Sequence, residues 1–269
     1  MDWFFRQPIP LLFVEIIGAF VGITLGGMLV FTPVRRRLQA RFSRSSEQAA
    51  YFGTQIWLAY TLILSLTAVG AWSEYQAASE KVSREVASLE VLQRGALLYP
   101  DPVRHQIDEL VRDYAGTVAG KEWPEQRVGQ HPSAAKEKFA AVVRLLGDYE
   151  PRSLPDQMLH AETLRQLTTA SETRRARIHA TANSLPTVVW IVLLVGAAIA
   201  LTGATLFVTV DDTTLHLVLV GCMAAFVGLV VFVTVALDHP FQGAVTPSAE
   251  GFRLIADRPF GGLSQNRGD

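Results

Sequence analysis

The fold is decided by residues 182–210, which read ANSLPTVVWIVLLVGAAIALTGATLFVTV and contain no ionisable side chain. About twenty apolar residues in an α-helix, each rising about 1.5 Å, cross a hydrocarbon core of about 30 Å. Backbone amides at that depth have no water to bond with, so such a segment must satisfy them internally as a helix. Residues 182–210 are therefore predicted to span a membrane.

Three other stretches have the same character. Residues 8–34 contain one charged side chain, Glu15, residues 49–73 contain none, and residues 213–237 contain only His216. The whole sequence is 49% apolar and 18% charged, whereas soluble domains average about 25% charged residues. We therefore expect an all-α protein with four transmembrane helices.

Residues 74–181, between the second and third predicted spans, form a polar block with helical periodicity. Val82 and Leu89 belong to an apolar stripe with steps of three and four residues, which predicts a helix that continues directly from span two. Further helices are expected on both sides of a loop rich in Gly and Pro at about residues 116–132. The predicted fold is thus four transmembrane helices with a helical-bundle polar domain inserted between helices two and three, followed by an irregular tail, residues 238–269.

Charged residues of the polar block are expected to lie on solvated helix faces with near-neighbour pairs. One example comprises Glu80, Lys81, Arg84 and Glu85. The formal net charge of the sequence is −1, which argues against a nucleic-acid partner.

The loop between spans one and two carries a dense group of arginines. Short cytoplasmic loops are enriched in Lys and Arg, so this loop is expected to be a cytoplasmic anchor and the polar block extracytoplasmic. The anchor residues are Arg35, Arg36, Arg37, Arg41 and Arg44. Two features favour the opposite orientation: the turn between spans three and four has no Lys or Arg, and basic residues precede span three. These basic residues are Arg174, Arg175 and Arg177.

Small and polar residues inside the spans are candidates for function. Gly18, Gly22 and Gly26 repeat every four residues and form a groove for another helix, either of the same chain or of a second subunit. A carboxylate in lipid is costly, so Glu15 is expected to face protein, water or the headgroup layer and is a candidate for a pore or proton role. Span two offers polar side chains that can line a pore or bond back to their own helix. They are Gln55, Thr61, Ser65 and Thr67.

No catalytic, cofactor or metal site is predicted. The six histidines and the single cysteine, Cys222, lack metal-ligand spacing, and no nucleophile motif is present. We expect a protein that is not an enzyme and that binds no cofactor.

Several segments resemble the bestrophin-like family of bacterial membrane proteins, also labelled the domain of unknown function 4239. The matching positions are Trp72 and Tyr75 at the end of span two, Trp123 in the loop, and Asp238, Pro240, Phe241 and Gly243 in the segment LDHPFQG. The resemblance implies a pentameric anion channel with its polar helices in the cytoplasm. That orientation is opposite to the one that the arginine loop predicts.

Two functions remain open. The leading one is a homo-oligomeric ion channel of the bacterial plasma membrane, with the lipid bilayer and an inorganic ion as its partners. The alternative is a membrane-anchored sensor or scaffold whose helical domain binds a ligand or a protein.

Overall fold

The computed structural model describes residues 9–33, 37, 46–130, 132–181, 185–207, 212–242 and 245–258. These residues are almost entirely helical and include no β-strand. Contacts between Cα atoms divide the chain into two compact units. The membrane unit comprises residues 3–74 and 184–238, and the polar unit comprises residues 75–183 and 239–269.

The α-helices of the described residues are numbered in chain order. They are α1 (Ile9–Val30), α2 (Ser46–Ala96), α3 (Asp101–Thr117), α4 (Trp123–Arg127), α5 (Lys136–Gly147), α6 (Leu154–Ala180), α7 (Thr187–Phe207), α8 (Thr213–Asp238) and α9 (Glu250–Asp257). A π-helical turn, Val118–Glu122, joins α3 to α4. Helices α1, α2, α7 and α8 are long and apolar enough to cross a membrane, in agreement with the four predicted spans.

Helix α2 is 51 residues long and contributes to both units, as the sequence predicts. No proline interrupts it, and at about 1.5 Å per residue it extends about 77 Å. Its exposed side chains are mostly apolar up to Val69, as at Leu62 and Leu66, and charged at Glu80 and Arg84. The helix therefore has the surface of a membrane span in its first half and of a soluble helix in its second.

Small residues let the helices of the membrane unit approach closely. A β-carbon on Gly228 of α8 would lie 3.1 Å from the Cα of Ile17 on α1, so the glycine lets the two helices approach closely. Gly196 of α7 is covered by the ring of Tyr60 from α2. The buried core of this unit includes Leu12, Ile16, Tyr60, Leu64, Leu193, Ala197, Ala224 and Val227.

The polar unit has a separate apolar core. Helix α6 begins where Ser153 accepts a hydrogen bond from the Asp156 backbone N–H at 3.2 Å, a standard N-terminal cap. Fully buried side chains come from five helices. They include Leu89 and Leu92 of α2, Ile107, Val111 and Tyr114 of α3, Leu146 of α5, Ala170 of α6, and Phe252 and Ile255 of α9.

The predicted loop at residues 116–132 is wrong over its first part, because helical backbone continues to Arg127. Val118, Ala119 and Trp123 are buried, and burial of these apolar side chains keeps the segment helical despite its glycines. The segment ends at Gly129, whose φ of 79° only glycine adopts readily.

The tail, residues 238–269, also differs from its predicted irregular structure. Glu250–Asp257 form α9, and Phe252 and Ile255 on one face of that helix are completely inaccessible to solvent. Burial of this face compensates for the weak helical tendency of so short a segment. Residues 243, 244 and 259–269 of the tail lie outside the described residues.

Candidate functional site

Three of the polar side chains predicted in span two share one uncovered side of α2. Gln55, Thr61 and Ser65 line a shallow groove of about 490 Å³. Its other walls are Leu58, Ala59 and Leu62 of the same helix, so the groove is open on its far side. Thr67 lies two residues beyond Ser65, about 200° around the helix axis, and does not line the groove.

The hydroxyl groups of this helix bond to its own backbone. Thr61 Oγ1 donates to the Leu58 carbonyl at 2.9 Å, and Ser65 Oγ donates to the Thr61 carbonyl at 2.8 Å. Thr67 Oγ1 donates to the Ile63 carbonyl at 2.9 Å. These bonds lower the cost of placing hydroxyls in lipid, and the oxygen of each still has free lone pairs.

The predicted glycine groove on α1 is unoccupied within the described chain. Gly18, Gly22 and Gly26 are exposed, and a β-carbon at any of them would meet no atom within 4 Å. Glu15 is exposed as well, and steps of three and four residues place it on the same helix face. Helix α1 packs against α8 through the other side, for example at Ile17. No described helix of the chain therefore packs into this groove.

Only one of the predicted cytoplasmic anchor residues is described. Arg37 has an exposed side chain. Arg35, Arg36, Arg41 and Arg44 lie outside the described residues.

A second group of polar side chains lies in the core of the polar unit. Glu85, Glu122 and Arg177 are completely buried, and Arg174 is 8% exposed. Arg177 Nε donates to Glu85 Oε2 at 2.6 Å, and Arg177 Nη2 donates to Glu122 Oε2 at 3.0 Å. Arg174 Nη2 donates to Glu122 Oε1 at 3.2 Å. We call these four residues the charge cluster; its two carboxylates balance its two guanidinium groups.

Uncharged groups also form hydrogen bonds with the charge cluster. The Tyr114 hydroxyl donates to Glu85 Oε1, and the Ala135 backbone N–H donates to Glu122 Oε1 at 3.0 Å. Arg177 Nη1 donates to Gln126 Oε1 at 3.4 Å. Aromatic rings cover the guanidinium faces: Arg174 lies 5.7 Å from the Tyr114 ring centre, and Arg177 lies 5.6 Å from those of Trp123 and Phe252.

Burial and charge together fix the ionisation of the cluster. Burial lowers the pKa of the Arg177 guanidinium, but Glu85, Tyr114 and Glu122 together more than offset this effect, and the net shift is upward. Burial raises the pKa of the Tyr114 hydroxyl well above its ordinary value, and the charge of Glu85 raises it further. Arg177 is therefore positively charged and Tyr114 neutral at physiological pH.

Two solved structures have a similar fold. A bacterial bestrophin homologue from Klebsiella pneumoniae, crystallised with a mutation, superposes with a TM-score of 0.63 at 11% identity over 91% of this chain and 96% of that chain. A crystal structure of a mutated membrane protein gives a TM-score of 0.58 at 10% identity over 87% of this chain and 99% of that chain. No curated protein sequence matches the chain.

The family follows from the sequence comparison. The family profile of the Bestrophin-like domain matches residues 18–252. The chain belongs to the Bestrophin-like family. Its membrane character and the resemblance recognised in the sequence are thereby confirmed. Among the described residues no group of three His, Cys, Asp or Glu side chains is placed to hold a metal ion.

Three of the seven family motif positions of this Bestrophin-like chain make the following contacts. Trp123 Nε1 donates to the Pro247 carbonyl at 3.2 Å, and its ring centre lies 5.9 Å from that of Phe241. Asp238 Oδ1 accepts a hydrogen bond from the Leu185 backbone N–H at 2.6 Å. The remaining motif positions are Trp72, which is exposed, Tyr75, which is half-buried, Pro240, which is buried, and Gly243, which lies outside the described residues.

The charge cluster of this Bestrophin-like chain corrects one sequence prediction. Glu80 and Arg84 lie on a solvated face and pair at 2.6 Å, as predicted, but Glu85 is buried. The signal for its burial was present, because Glu85 falls between Val82 and Leu89 at steps of three and four residues, within the apolar stripe. Arg174 and Arg177, considered only as charges preceding span three, are likewise buried.

Proposed function

We propose that this Bestrophin-like protein is a homo-oligomeric ion channel of the bacterial plasma membrane, without enzymatic activity, in which the groove of α2 lines the pore. The observation that carries the proposal is the row of Gln55, Thr61 and Ser65 on an uncovered face of a transmembrane helix. Amide and hydroxyl oxygens can replace part of the hydration shell of an ion. In lipid such a row would cost free energy, whereas it is satisfied at a water-filled axis.

Assembly of several subunits is supported by the exposed surface of the first two spans. In the apolar segment of span one only 11% of the residues are buried within the chain, and in that of span two 17%. In spans three and four the buried share is 33%. The groove formed by Gly18, Gly22 and Gly26 offers a neighbouring subunit a close approach. Bestrophin homologues are homo-oligomeric membrane channels that conduct ions.

The channel proposal is tested by thiol substitution in protein reconstituted into planar bilayers. In a Cys222→Ala background, Ser65→Cys and Gln55→Cys are expected to lose current when a charged thiol reagent is added. Ile63→Cys is the matched control, because Ile63 is 42% exposed but does not line the groove. Purified protein that is monomeric in detergent and passes no ions in liposomes contradicts the proposal.

A second candidate, a sensor or scaffold, is favoured by apolar side chains on the polar unit. Leu98, Leu154 and Met158 are exposed by 69–71%, and such residues often mark a protein-binding surface. The two candidates differ in their response to Leu154→Glu. If Leu154→Glu loses a bound partner and its ion flux equals that of the wild-type protein, the scaffold is supported. The channel is supported only if the wild-type protein passes ions.

We further propose that residues 74–181 form a domain inserted between spans two and three and placed outside the cytoplasm. The arginine loop that contains Arg37 supports this orientation. Arg174 and Arg177 precede span three and favoured a cytoplasmic polar block. Both form buried ion pairs, so they count less towards that orientation than exposed arginines would. Gln130→Cys in a Cys222→Ala background should react with an impermeant reagent in intact cells, and Arg37→Cys should not. The reverse result places the domain in the cytoplasm.

A further inference from the structure

Two helices of the polar unit share an unusual spacing of buried residues. Within the polar unit, the buried positions of α2 include Ala78, Val82, Glu85, Leu89, Leu92 and Ala96, with Ser88 and Gln93 buried beside them. Those of α6 include His160, Thr163, Leu167, Ala170, Arg174 and Arg177, followed by Ala180. The six residues named first on each helix advance by alternating steps of three and four residues. A mean step of 3.5 residues gives each helix one continuous buried stripe. We call these two stripes of α2 and α6 together the seam.

Three polar pairs link α2, or the residues just after it, to α6. In order of rising residue number on the α2 side they are Glu85–Arg177, Ser88–Thr173 and Tyr99–His160, with donor–acceptor distances of 2.6, 3.2 and 2.8 Å. Residue numbers rise on one side of the pairs while they fall on the other, so α2 and α6 run antiparallel. The same alignment places Thr163 Oγ1 3.6 Å from a β-carbon built on Gly95.

The apolar residues of the seam do not define this alignment by themselves. Alanine and leucine occur on both stripes, so apolar contacts alone do not exclude a slide of one heptad, about 10 Å. The polar pairs do define it. After such a slide Glu85 and Arg177 would be buried without each other, which is strongly unfavourable because neither charge has water as a substitute.

A third element reinforces the same alignment. Glu122, on the π-helical turn, holds both Arg174 and Arg177 of α6. The backbone N–H of Ala135 anchors the Glu122 carboxylate in turn. Axial movement of α6 would therefore break contacts to α2 and to the π-helical turn together.

We infer that the charge cluster is a register lock, which holds α2 and α6 in a single axial alignment within the polar unit. Its role is to exclude heptad-shifted alignments rather than to supply the bulk of the stability. The second half of α2 and the whole of α6 consequently move as one body. The inference does not depend on ion conduction.

The test compares the spread of one distance in full-length protein in detergent. Spin labels are attached at Ser83→Cys and Glu172→Cys, both exposed positions on the two helices, in a Cys222→Ala background. The unmodified seam should give one narrow distance distribution by pulsed electron resonance. The variant Glu85→Gln with Arg177→Met removes one charge of each sign, and it should remain helical while the distribution broadens or splits by up to about 10 Å, one heptad.

The matched control is Glu162→Gln with Arg165→Met, which makes the same chemical changes in an exposed pair of α6 and should leave the distribution narrow. A folded seam variant with an unchanged narrow distribution overturns the lock. If the seam variant does not fold, Arg177→Lys replaces it, because one ammonium group keeps the charge but cannot hold Glu85 and Glu122 in the geometry of the guanidinium group. A broadened distribution in Arg177→Lys supports the lock. Failure of both variants to fold shows that the cluster is needed for folding itself and also overturns it.

Discussion

The ring of Tyr60 fills the space beside Gly196, where a β-carbon would lie 2.8 Å from Tyr60 Cδ2 and 2.9 Å from Tyr60 Cε2. Tyr60 is only 3% exposed, so its ring has no free space into which it can swing. The packing of α2 against α7 therefore requires a residue without a side chain at position 196.

Substitution Gly196→Ala should destabilise the membrane unit. Overpacking of a tight contact costs about 1–3 kcal/mol, which is enough to lower the melting temperature of purified protein in detergent by several degrees. Gly203→Ala on the same helix is the control, because a β-carbon there meets nothing within 4 Å. If the double variant Gly196→Ala with Tyr60→Leu regains part of the melting temperature lost in Gly196→Ala, the clash lies between these two residues. Equal melting temperatures for Gly196→Ala and Gly203→Ala contradict the prediction.

The stability of the polar unit should fall at alkaline pH because of Tyr114. In the unfolded chain this tyrosine loses its proton near its ordinary pKa of about 10, whereas burial and the Glu85 carboxylate raise the pKa in the folded protein. The folded state then binds more protons than the unfolded state, so stability is retained below about pH 10 and declines as the pH rises towards the folded pKa.

Denaturant unfolding of the polar unit over a series of alkaline pH values tests this prediction. Tyr114→Phe should reduce the slope above pH 10, although it also removes the hydrogen bond to Glu85 and lowers stability at neutral pH. Tyr51→Phe is the control, because Tyr51 is 63% exposed. An unchanged slope in Tyr114→Phe counts against the assignment.

Asp238 should stabilise the beginning of α7. Its Oδ1 accepts the Leu185 backbone N–H at 2.6 Å, just before the helix begins at Thr187. Loss of such a bond near a helix amino terminus costs about 1 kcal/mol. Asp238→Ala should therefore lower the melting temperature, and Asp238→Asn, which keeps the oxygen acceptor, should lower it less. Identical losses for the two variants would show that the charge, and not the hydrogen bond, is what matters.

Helix α9 should be essential to the polar unit. Phe252 is completely buried, and its ring centre lies 5.7 Å from that of Trp123. Phe252→Ala should cost about 3–5 kcal/mol, because a large cavity remains in the core. Leu254→Ala removes an exposed side chain of the same helix and should have little effect. Limited proteolysis of the polar unit gives the readout; equal protease resistance of the two variants argues against a structural role for α9.

The membrane spans and the continuity of α2 could be predicted because the signals for them are local. A run such as residues 182–210 has one physical solution in lipid, and no distant residue can change it. The family could be recognised for a related reason, since Trp123 and Phe241 occur in short motifs. Their contact, with ring centres 5.9 Å apart, could not be predicted from those motifs.

The charge cluster was missed because its stability depends on residues far apart in the sequence. Glu85 and Arg177 are separated by 92 positions, and a charged residue is ordinarily solvated unless a partner of opposite charge is buried beside it. Helix α9 was missed for the same reason. Its eight residues would not be helical alone, and only the core that receives Phe252 and Ile255 stabilises them.

The position of Phe252 and Ile255 has a consequence for biosynthesis. The core that they complete is built mainly by residues 75–183, yet the ribosome synthesises α7 and α8 before it reaches Phe252 and Ile255. While the nascent chain is being inserted into the bilayer, the unfinished core stays accessible to chaperones and proteases. A stop codon between Asp238 and Glu250 would therefore leave all four spans attached to a domain whose core stays incomplete.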